Sequence, residues 1–344
     1  MTLCIAAACE DKSGKERVVI GTDWMISGAI SAGADIQDKL YWIDEDIALL
    51  VSGVVTRAVE LRDAYRVALE GMKTKKEKLN YLTIRKFIKE GPKLLKKDIA
   101  DEIVTFATGL SYAEFRAAIR RKEIPQSVSN GVFQAVERKD LECEVIIVAF
   151  VGGNQYIFQV ERSGHVEECD NFALIGDGTY VAEAMLYLRK HESTDSVRLA
   201  LYHVWEAMRL ASRRVGTVSK THSIDMLYPP KERGAHVTAD ELTGAGFRFM
   251  EEQFTDRFGI RKVKKFPELP KGSLSVKTCE EVKRQRARCS LQRAPLEPCN
   301  TLQHFQQSSE SRLTRGIGQE ISRQSIYEFL PSNQLVNRVG DVSS

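Results

Sequence analysis

The order of elements along the chain predicts a layered α/β protein with two sheets and two helical layers. Two pairs of short apolar runs come first, a long helical stretch follows them, and strands and helices then alternate once more. The chain has 344 residues, of which 43% are hydrophobic and 28% charged. This ordinary composition is enough to bury one sizeable core or two smaller ones.

Four strands are predicted before the first helix. Residues 3–9 are apolar and residues 17–22 are β-branched, and the polar, glycine-containing segment between them is typical of a hairpin. Residues 39–43 and 47–53 repeat this design around the acidic turn 44–46. We therefore expect two consecutive hairpins at the start of the chain.

Helices follow the hairpins. Apolar residues recur at helical intervals from Val55 to about Lys73, and residues 76–122 predict further helix with a break at Gly91-Pro92. The remaining predicted elements are strands at 143–151 and 155–161, helices at 180–190 and 193–214, and a strand at 222–228. Together they complete the two sheets and the two helical layers.

The periodic pattern fades beyond Arg261. Residues 262–344 carry 14 Lys and Arg against 8 Asp and Glu, with scattered prolines and many Ser and Gln. Because no run there exceeds a few apolar residues, burial would not recover the entropy lost on ordering. We predict a folded domain at 1–261 and a basic, mostly disordered tail at 262–344.

Several common classes of site are not indicated. The seven cysteines are an odd number without CxxC spacing, so no disulfide framework is expected. His191, His203, His222 and His236 have no metal-ligand spacing, and neither a metal nor another cofactor is expected. The first residues lack a basic leader, and the apolar run ends at Glu10. We expect a cytoplasmic protein that binds neither membrane nor nucleic acid.

Four short segments carry the most specific signal. They are Thr2-Leu-Cys-Ile-Ala-Ala, Val18-Val-Ile-Gly-Thr-Asp23, Asp38-Lys39-Leu-Tyr and Val51-Ser-Gly53. In this order they resemble the nucleophile strand, aspartate, lysine and oxyanion glycine of proteasome β-type subunits. Asp23 and Lys39 are 16 residues apart, and Lys39 and Gly53 are 14 residues apart. Both intervals are similar to those of the family. The turn in Ala173-Leu-Ile-Gly-Asp-Gly-Thr and its following helices extend the resemblance to about residue 230.

The resemblance implies the four-layer αββα fold of N-terminal-nucleophile hydrolases. Removal of Met1 would give Thr2 a free α-amine with a pKa near ~7.7–8, so that one residue supplies nucleophile and base. Lys39 would place a positive charge beside Thr2, and Asp23 would orient it. The N–H of Gly53 would donate to the oxyanion.

Two departures from the family are visible. The family's helper serine falls at Asp177, with Thr179 a nearby hydroxyl. No acid is present at 213–215, where the family has an arginine-aspartate pair ahead of a serine, although Thr217 or Ser219 could supply that serine. Asp177 is a candidate to compensate for the missing carboxylate.

The sequence thus predicts a threonine-type amidohydrolase or peptidase. Its implied partners are a peptide or protein substrate, further copies of the chain in a ring-like or related assembly, and an ATP-dependent unfoldase. One alternative is a structural subunit that has lost catalysis, and another is an adaptor whose basic tail recruits RNA or an acidic partner.

Cys4 is a second candidate nucleophile, but it lacks a terminal amine. The turn at Gly176 lacks the lysine of a phosphate-binding loop.

Overall fold

The computed structural model has its strands and helices in the order that the sequence predicts. It describes residues 2–23, 39–229, 239–242, 245–250, 270–271 and 273–277. The strands are β1 (Leu3–Glu10), β2 (Glu16–Asp23), β3 (Leu40–Asp44), β4 (Ile47–Gly53), β5 (Cys143–Val151), β6 (Asn154–Val160), β7 (Val166–Cys169), β8 (Phe172–Gly176), β9 (His222–Leu227), β10 (Ala239–Leu242) and β11 (Leu274–Lys277). The helices are α1 (Val55–Thr74), α2 (Tyr81–Thr108), α3 (Tyr112–Arg120), α4 (Gln126–Arg138), α5 (Thr179–Arg189) and α6 (Val197–Arg214).

Two antiparallel sheets stack face to face between two layers of helices. The strand order is β11-β10-β9-β2-β1-β8 in the first sheet and β3-β4-β5-β6-β7 in the second. Helices α5 and α6 pack on the outer face of the first sheet, and α1 and α2 pack on the outer face of the second. The predicted four-layer αββα architecture is confirmed.

Strand β1 is buried on both faces. Alternate side chains along a strand point to opposite faces of the sheet. One set packs against α5 and α6 and consists of Leu3, Ile5, Ala7 and Cys9. The other set packs between the sheets and consists of Cys4, Ala6 and Ala8. This explains why β1 is a continuous apolar run rather than an alternating one.

Helix α2 runs through Gly91-Pro92, where the sequence predicted a break. Pro92 cannot donate the hydrogen bond that would satisfy the Ile88 carbonyl four residues earlier. The hydroxyl of Tyr65 donates to that carbonyl instead, over 3.0 Å. Gly91 makes room for the same tyrosine, because a Cβ at Gly91 would lie 2.4 Å from its ring. The predicted break is therefore wrong, since a side chain from α1 replaces the missing donor.

Other differences concern elements with a weak sequence pattern. Helices α3 and α4 pack on α2 through a small cluster of Val104, Phe115 and Val132, and α4 lies in a segment where no helix was predicted. The last paired helix begins at Val197 rather than near Ser193, with Ser196 at its N-cap. Few side chains of α3 and α4 are buried, so the faces of these two helices are defined by tertiary packing more than by periodicity.

The first sheet extends into the segment predicted as a basic tail. Strand β11 pairs antiparallel with β10, from Ala239 opposite Lys277 to Leu242 opposite Leu274. Residues 274–277 are thus part of the folded sheet, whereas most of 262–344 lies outside the described residues. In the part of the chain that the structure describes, no helix is long and apolar enough to cross a membrane.

Candidate active site

Three predicted site residues meet at one end of the two sheets. Thr2 immediately precedes β1, and Asp23 is the last residue of β2. Antiparallel pairing of these strands places Cys4 opposite Thr22, so the start of β1 lies beside the end of β2. Lys39 immediately precedes β3 in the opposite sheet, where its carbonyl accepts a hydrogen bond of 3.1 Å from Val51. Sheet stacking therefore brings the lysine over the threonine and the aspartate.

The side chains of these residues form a closed hydrogen-bonded triangle. Nζ of Lys39 donates to Oγ1 of Thr2 and to Oδ1 of Asp23, and the Thr2 hydroxyl donates to the same Oδ1. All three residues are buried. The ammonium directly contacts the hydroxyl oxygen, and this position favours negative charge developing on that oxygen. The predicted association of Thr2, Asp23 and Lys39 is thus seen in the geometry.

Two backbone amides hold the Asp23 carboxylate. The N–H of Leu3 donates to Oδ1 over 3.0 Å, and the N–H of Ser219 donates to Oδ2 over 3.0 Å. Hydrogen bonds to the charged form stabilise a buried carboxylate. The sequence could not indicate this role for Ser219, because the group involved is a backbone amide that any residue except proline provides.

Glycine is required at two positions around Thr2. A Cβ at Gly53 would lie 2.4 Å from the carbonyl oxygen of Glu142, and a Cβ at Gly176 would lie 2.1 Å from the carbonyl oxygen of Thr2. Both glycines also have positive φ, +108° and +99°. The Ser52 hydroxyl lies 3.0 Å from the position of that second Cβ. The segment that ends in the exposed Gly53 thus lies at the Thr2 end of the sheets. The role of the Gly53 N–H as a donor to an oxyanion stays a prediction.

Asp177 is connected to the site through a neighbouring segment. Its Oδ2 accepts a hydrogen bond of 3.1 Å from the hydroxyl of Thr217, two residues before the Ser219 amide that binds Asp23. The Ser219 hydroxyl accepts from the N–H of Thr221 over 3.0 Å. Asp177 therefore anchors the loop that holds Asp23. Compensation for the missing acid stays a prediction.

Cys4 does not have the chemistry of a nucleophile. Burial raises the pKa of its thiol to about 12, with a smaller opposing effect of the Lys39 charge. Its Sγ points to the Val51 carbonyl oxygen at 3.5 Å. Since the thiolate is the nucleophilic form of cysteine, the protonated Cys4 is a core side chain beside Thr2.

The structure also brings together three residues that the sequence did not connect. His191, Asp195 and His203 place one potential ligand atom each within 4.8 Å of one another. Their spacing, four residues and then eight, spans the end of a helix, a loop and the next helix. No fixed local period produces this arrangement, so the sequence indicated no metal site. His236 lies outside the described residues.

No protein-family model matches the chain, and no curated protein matches it. The functional inference therefore rests on the geometry around Thr2, Asp23 and Lys39.

Proposed function

We propose that this chain is a threonine-type amidohydrolase or peptidase that uses Thr2 as an N-terminal nucleophile after removal of Met1. The observation that carries the proposal is the contact of the Lys39 ammonium with the Thr2 hydroxyl oxygen, with Asp23 bound to both. A buried lysine placed on a hydroxyl oxygen has no obvious purpose in packing, since burying charge is costly. The lysine has a purpose if the Thr2 hydroxyl oxygen becomes negatively charged during a reaction, because the ammonium then stabilises that charge.

The reaction is acyl transfer through an ester. The free α-amine of Thr2 takes the hydroxyl proton, and Oγ1 attacks the substrate carbonyl to give a tetrahedral intermediate. The N–H of Gly53 donates to the oxyanion. As the intermediate collapses, the C–N bond breaks and the leaving amine takes the proton from the α-ammonium. Water then attacks the ester, with the α-amine again as base, and releases the acid product and Thr2.

Lys39 and Asp23 prepare Thr2 for this reaction. The ammonium stabilises negative charge on Oγ1 in both transition states. The carboxylate fixes the position of Nζ, and its own position is fixed by the Leu3 and Ser219 amides. A preorganised arrangement of this kind needs no reorganisation when charge develops.

The substrate and the assembly follow from the resemblance to proteasome β-type subunits. The substrate would be a peptide or protein, and the chain would form a ring-like or related homo-oligomer in the cytoplasm. An ATP-dependent unfoldase is a further partner of such particles. If an amine rather than water resolved the ester, the same site would ligate peptides.

A structural subunit without catalysis is the second candidate. It is favoured by Asp177, which replaces the family's helper serine and binds Thr217. The exposed segment at Arg213 and Arg214 also lacks the family's acid. In this alternative the triangle around Thr2 would survive as a buried polar cluster that supports the fold.

Intact-mass spectrometry with a peptide epoxyketone separates the two candidates. This probe needs both groups of a terminal threonine, because the hydroxyl adds to its ketone and the amine opens its epoxide. For an enzyme we expect loss of Met1 and a gain of one probe mass. Thr2→Ala should give no adduct, while Thr56→Ala, which removes an exposed helix hydroxyl, should react like the wild type. Retained Met1, or no adduct on folded protein, would reject the enzymatic proposal.

A further inference from the structure

A second cluster of functional groups lies at the other end of β1. His191 follows the end of α5, where its N–H donates to the Leu186 carbonyl over 3.0 Å. Asp195 lies in the loop between α5 and α6, and His203 lies on the second turn of α6. The cluster contacts β1 at Ala8, six residues from Thr2, which corresponds to about 20 Å along a strand. It is therefore separate from the candidate active site.

The three potential ligand atoms have the spacing of metal ligands. Nδ1 of His191 lies 3.1 Å from Nδ1 of His203 and 3.2 Å from Oδ2 of Asp195, and the third side of the triangle is 3.6 Å. Ligands at about 2.0–2.2 Å from a tetrahedral Zn²⁺ ion are separated by roughly 3.3–3.6 Å. One point can therefore lie at coordinating distance from all three atoms without rearrangement of the side chains.

Hydrogen bonds around the cluster orient its atoms for coordination. Nε2 of His191 lies 3.0 Å from the Ala8 carbonyl oxygen, which can only accept, so Nε2 carries the proton. In the neutral ring this leaves the Nδ1 lone pair toward His203 and Asp195. Oδ2 of Asp195 accepts the Glu192 N–H over 3.1 Å. Outer hydrogen bonds of this kind fix the ring tautomer and the carboxylate in metal sites.

The environment also suits a cation. The His191 side chain has no exposed surface and that of His203 is 3% exposed, whereas that of Asp195 is 19% exposed. Two imidazoles and one carboxylate are a donor set that zinc accepts, and three protein ligands leave one position for water. Without a metal, two buried imidazole nitrogens face each other and must share a proton.

We propose that His191, Asp195 and His203 bind a Zn²⁺ ion that fastens the α5–α6 loop to the end of β1. The loop already touches this strand, since the N–H of Glu10 donates to the Asp195 carbonyl over 2.9 Å. The metal would cross-link α6, the loop and, through His191, the carbonyl of Ala8. Because the site lies about 20 Å along β1 from Thr2, the ion would take no part in the reaction proposed there.

Cobalt substitution tests the proposal on the full-length chain. Protein stripped with a chelator is titrated with Co²⁺, and visible absorption and bound metal are measured. We expect one equivalent of Co²⁺, the strong d–d bands of a tetrahedral site, their loss on addition of Zn²⁺, and a higher Tm with Zn²⁺. Weak bands of an octahedral ion, or no stoichiometric binding, would overturn the assignment.

Two variants and a matched control locate the site. Asp195→Asn keeps an oxygen for the Glu192 N–H and removes the charge, and His203→Gln removes one imidazole. Each should weaken Co²⁺ binding by more than the 10–100-fold typical of losing an outer partner. His165→Gln, at an exposed histidine, should bind like the wild type. If Asp195→Asn, folded by circular dichroism, bound Co²⁺ as tightly as the control, the site would be elsewhere. Thr2→Ala should retain the metal, so the test is independent of the proposed hydrolase.

Discussion

The backbone N–H of Ser219 donates to Oδ2 of Asp23 over 3.0 Å, across 196 residues of sequence. The other carboxylate oxygen takes the N–H of Leu3 together with Lys39 and Thr2. Asp23 is 1% exposed, so these donors replace the water that would otherwise solvate its charge. The loop before β9 and the start of β1 therefore jointly determine where the carboxylate lies.

Asp23→Ala should destabilise the fold as well as the site. It leaves the buried Leu3 amide and the half-buried Ser219 amide without their acceptor and the Lys39 ammonium without its carboxylate. Breaking a buried ion pair typically costs about 3–5 kcal/mol. Chemical denaturation should show this loss, whereas Asp98→Ala, at an exposed helical position, should change the free energy of unfolding by less than about 0.5 kcal/mol. Equal stability of the two variants would contradict the account of Asp23.

Lys39→Met should abolish most of the reactivity of Thr2. The methionine fills similar space but removes the ammonium that contacts the hydroxyl oxygen. Loss of one group that stabilises developing negative charge typically costs about 10²–10³-fold in rate. The rate of epoxyketone adduct formation, corrected for the folded fraction, measures the loss. Lys97→Met removes an exposed lysine from α2 and should leave the rate unchanged. A wild-type rate in folded Lys39→Met would exclude the lysine from the chemistry.

Alanine at two glycines should have effects of opposite sign. At Gly53 the new Cβ would lie 2.4 Å from the Glu142 carbonyl oxygen at a φ of +108°, and such strain costs on the order of 1–3 kcal/mol. At Gly71, in α1, no atom lies within 4 Å of the new Cβ. Gly71→Ala should therefore stabilise the chain by about 0.4–1 kcal/mol. Thermal unfolding measures both changes, and a stabilised Gly53→Ala would contradict the described backbone.

Tyr65→Phe tests how α2 accommodates Pro92. The substitution keeps the ring against Gly91 and removes the donor to the Ile88 carbonyl, and an unsatisfied buried acceptor costs about 1–3 kcal/mol. Tyr187→Phe is the control, because that residue is 65% exposed and its ring contact with Phe172 does not need the hydroxyl. Denaturation midpoints should fall for the first variant and not for the second.

His222→Phe should make stability less dependent on pH. Burial lowers the pKa of His222 below its ordinary value of 6.5, opposed by the Lys220 carbonyl and the Asp23 charge and assisted by Arg209. As the pH falls below 6.5, His222 of the unfolded chain takes up a proton, whereas His222 of the folded chain stays neutral until its lowered pKa is reached. The free energy of unfolding therefore falls as the pH falls through this range. Phenylalanine cannot be protonated, and Tm measured from pH 7 to pH 4 should decline less steeply. His165→Phe should keep the wild-type slope.

Much of the fold could be predicted because its strands and main helices have regular patterns. The hairpins of β1 to β4 and the helix from Val55 were visible in short apolar runs and in helical spacing. The continuity of α2 was not, because it depends on Tyr65 reaching Ile88 from another helix. Helix α4 was missed because few of its side chains are buried, Ser129 and Val132 among them.

The candidate site was predictable only in part, for a physical reason. Side-chain identity and spacing indicated Thr2, Asp23 and Lys39, which the fold brings together. The hydrogen bonds that hold Asp23 come from the backbone amides of Leu3 and Ser219. A sequence does not reveal such donors, because every residue except proline has a backbone N–H. The cluster of His191, Asp195 and His203 is assembled by the loop between two helices, so its geometry exists only after that loop has folded.

The burial of β1 on both faces has a consequence for how any reaction at Thr2 must proceed. A strand clamped between two packed layers is among the last parts of a domain to open, so backbone amide exchange along Leu3–Ala8 should be among the slowest in the protein. The Thr2 hydroxyl, bound by Asp23 and Lys39 just before this strand, should therefore change position little. If Thr2 is the proposed nucleophile, the substrate carbonyl must approach the Thr2 oxygen, because the oxygen does not move toward the substrate. The selection of substrates would then depend on whether their carbonyl group can reach Thr2.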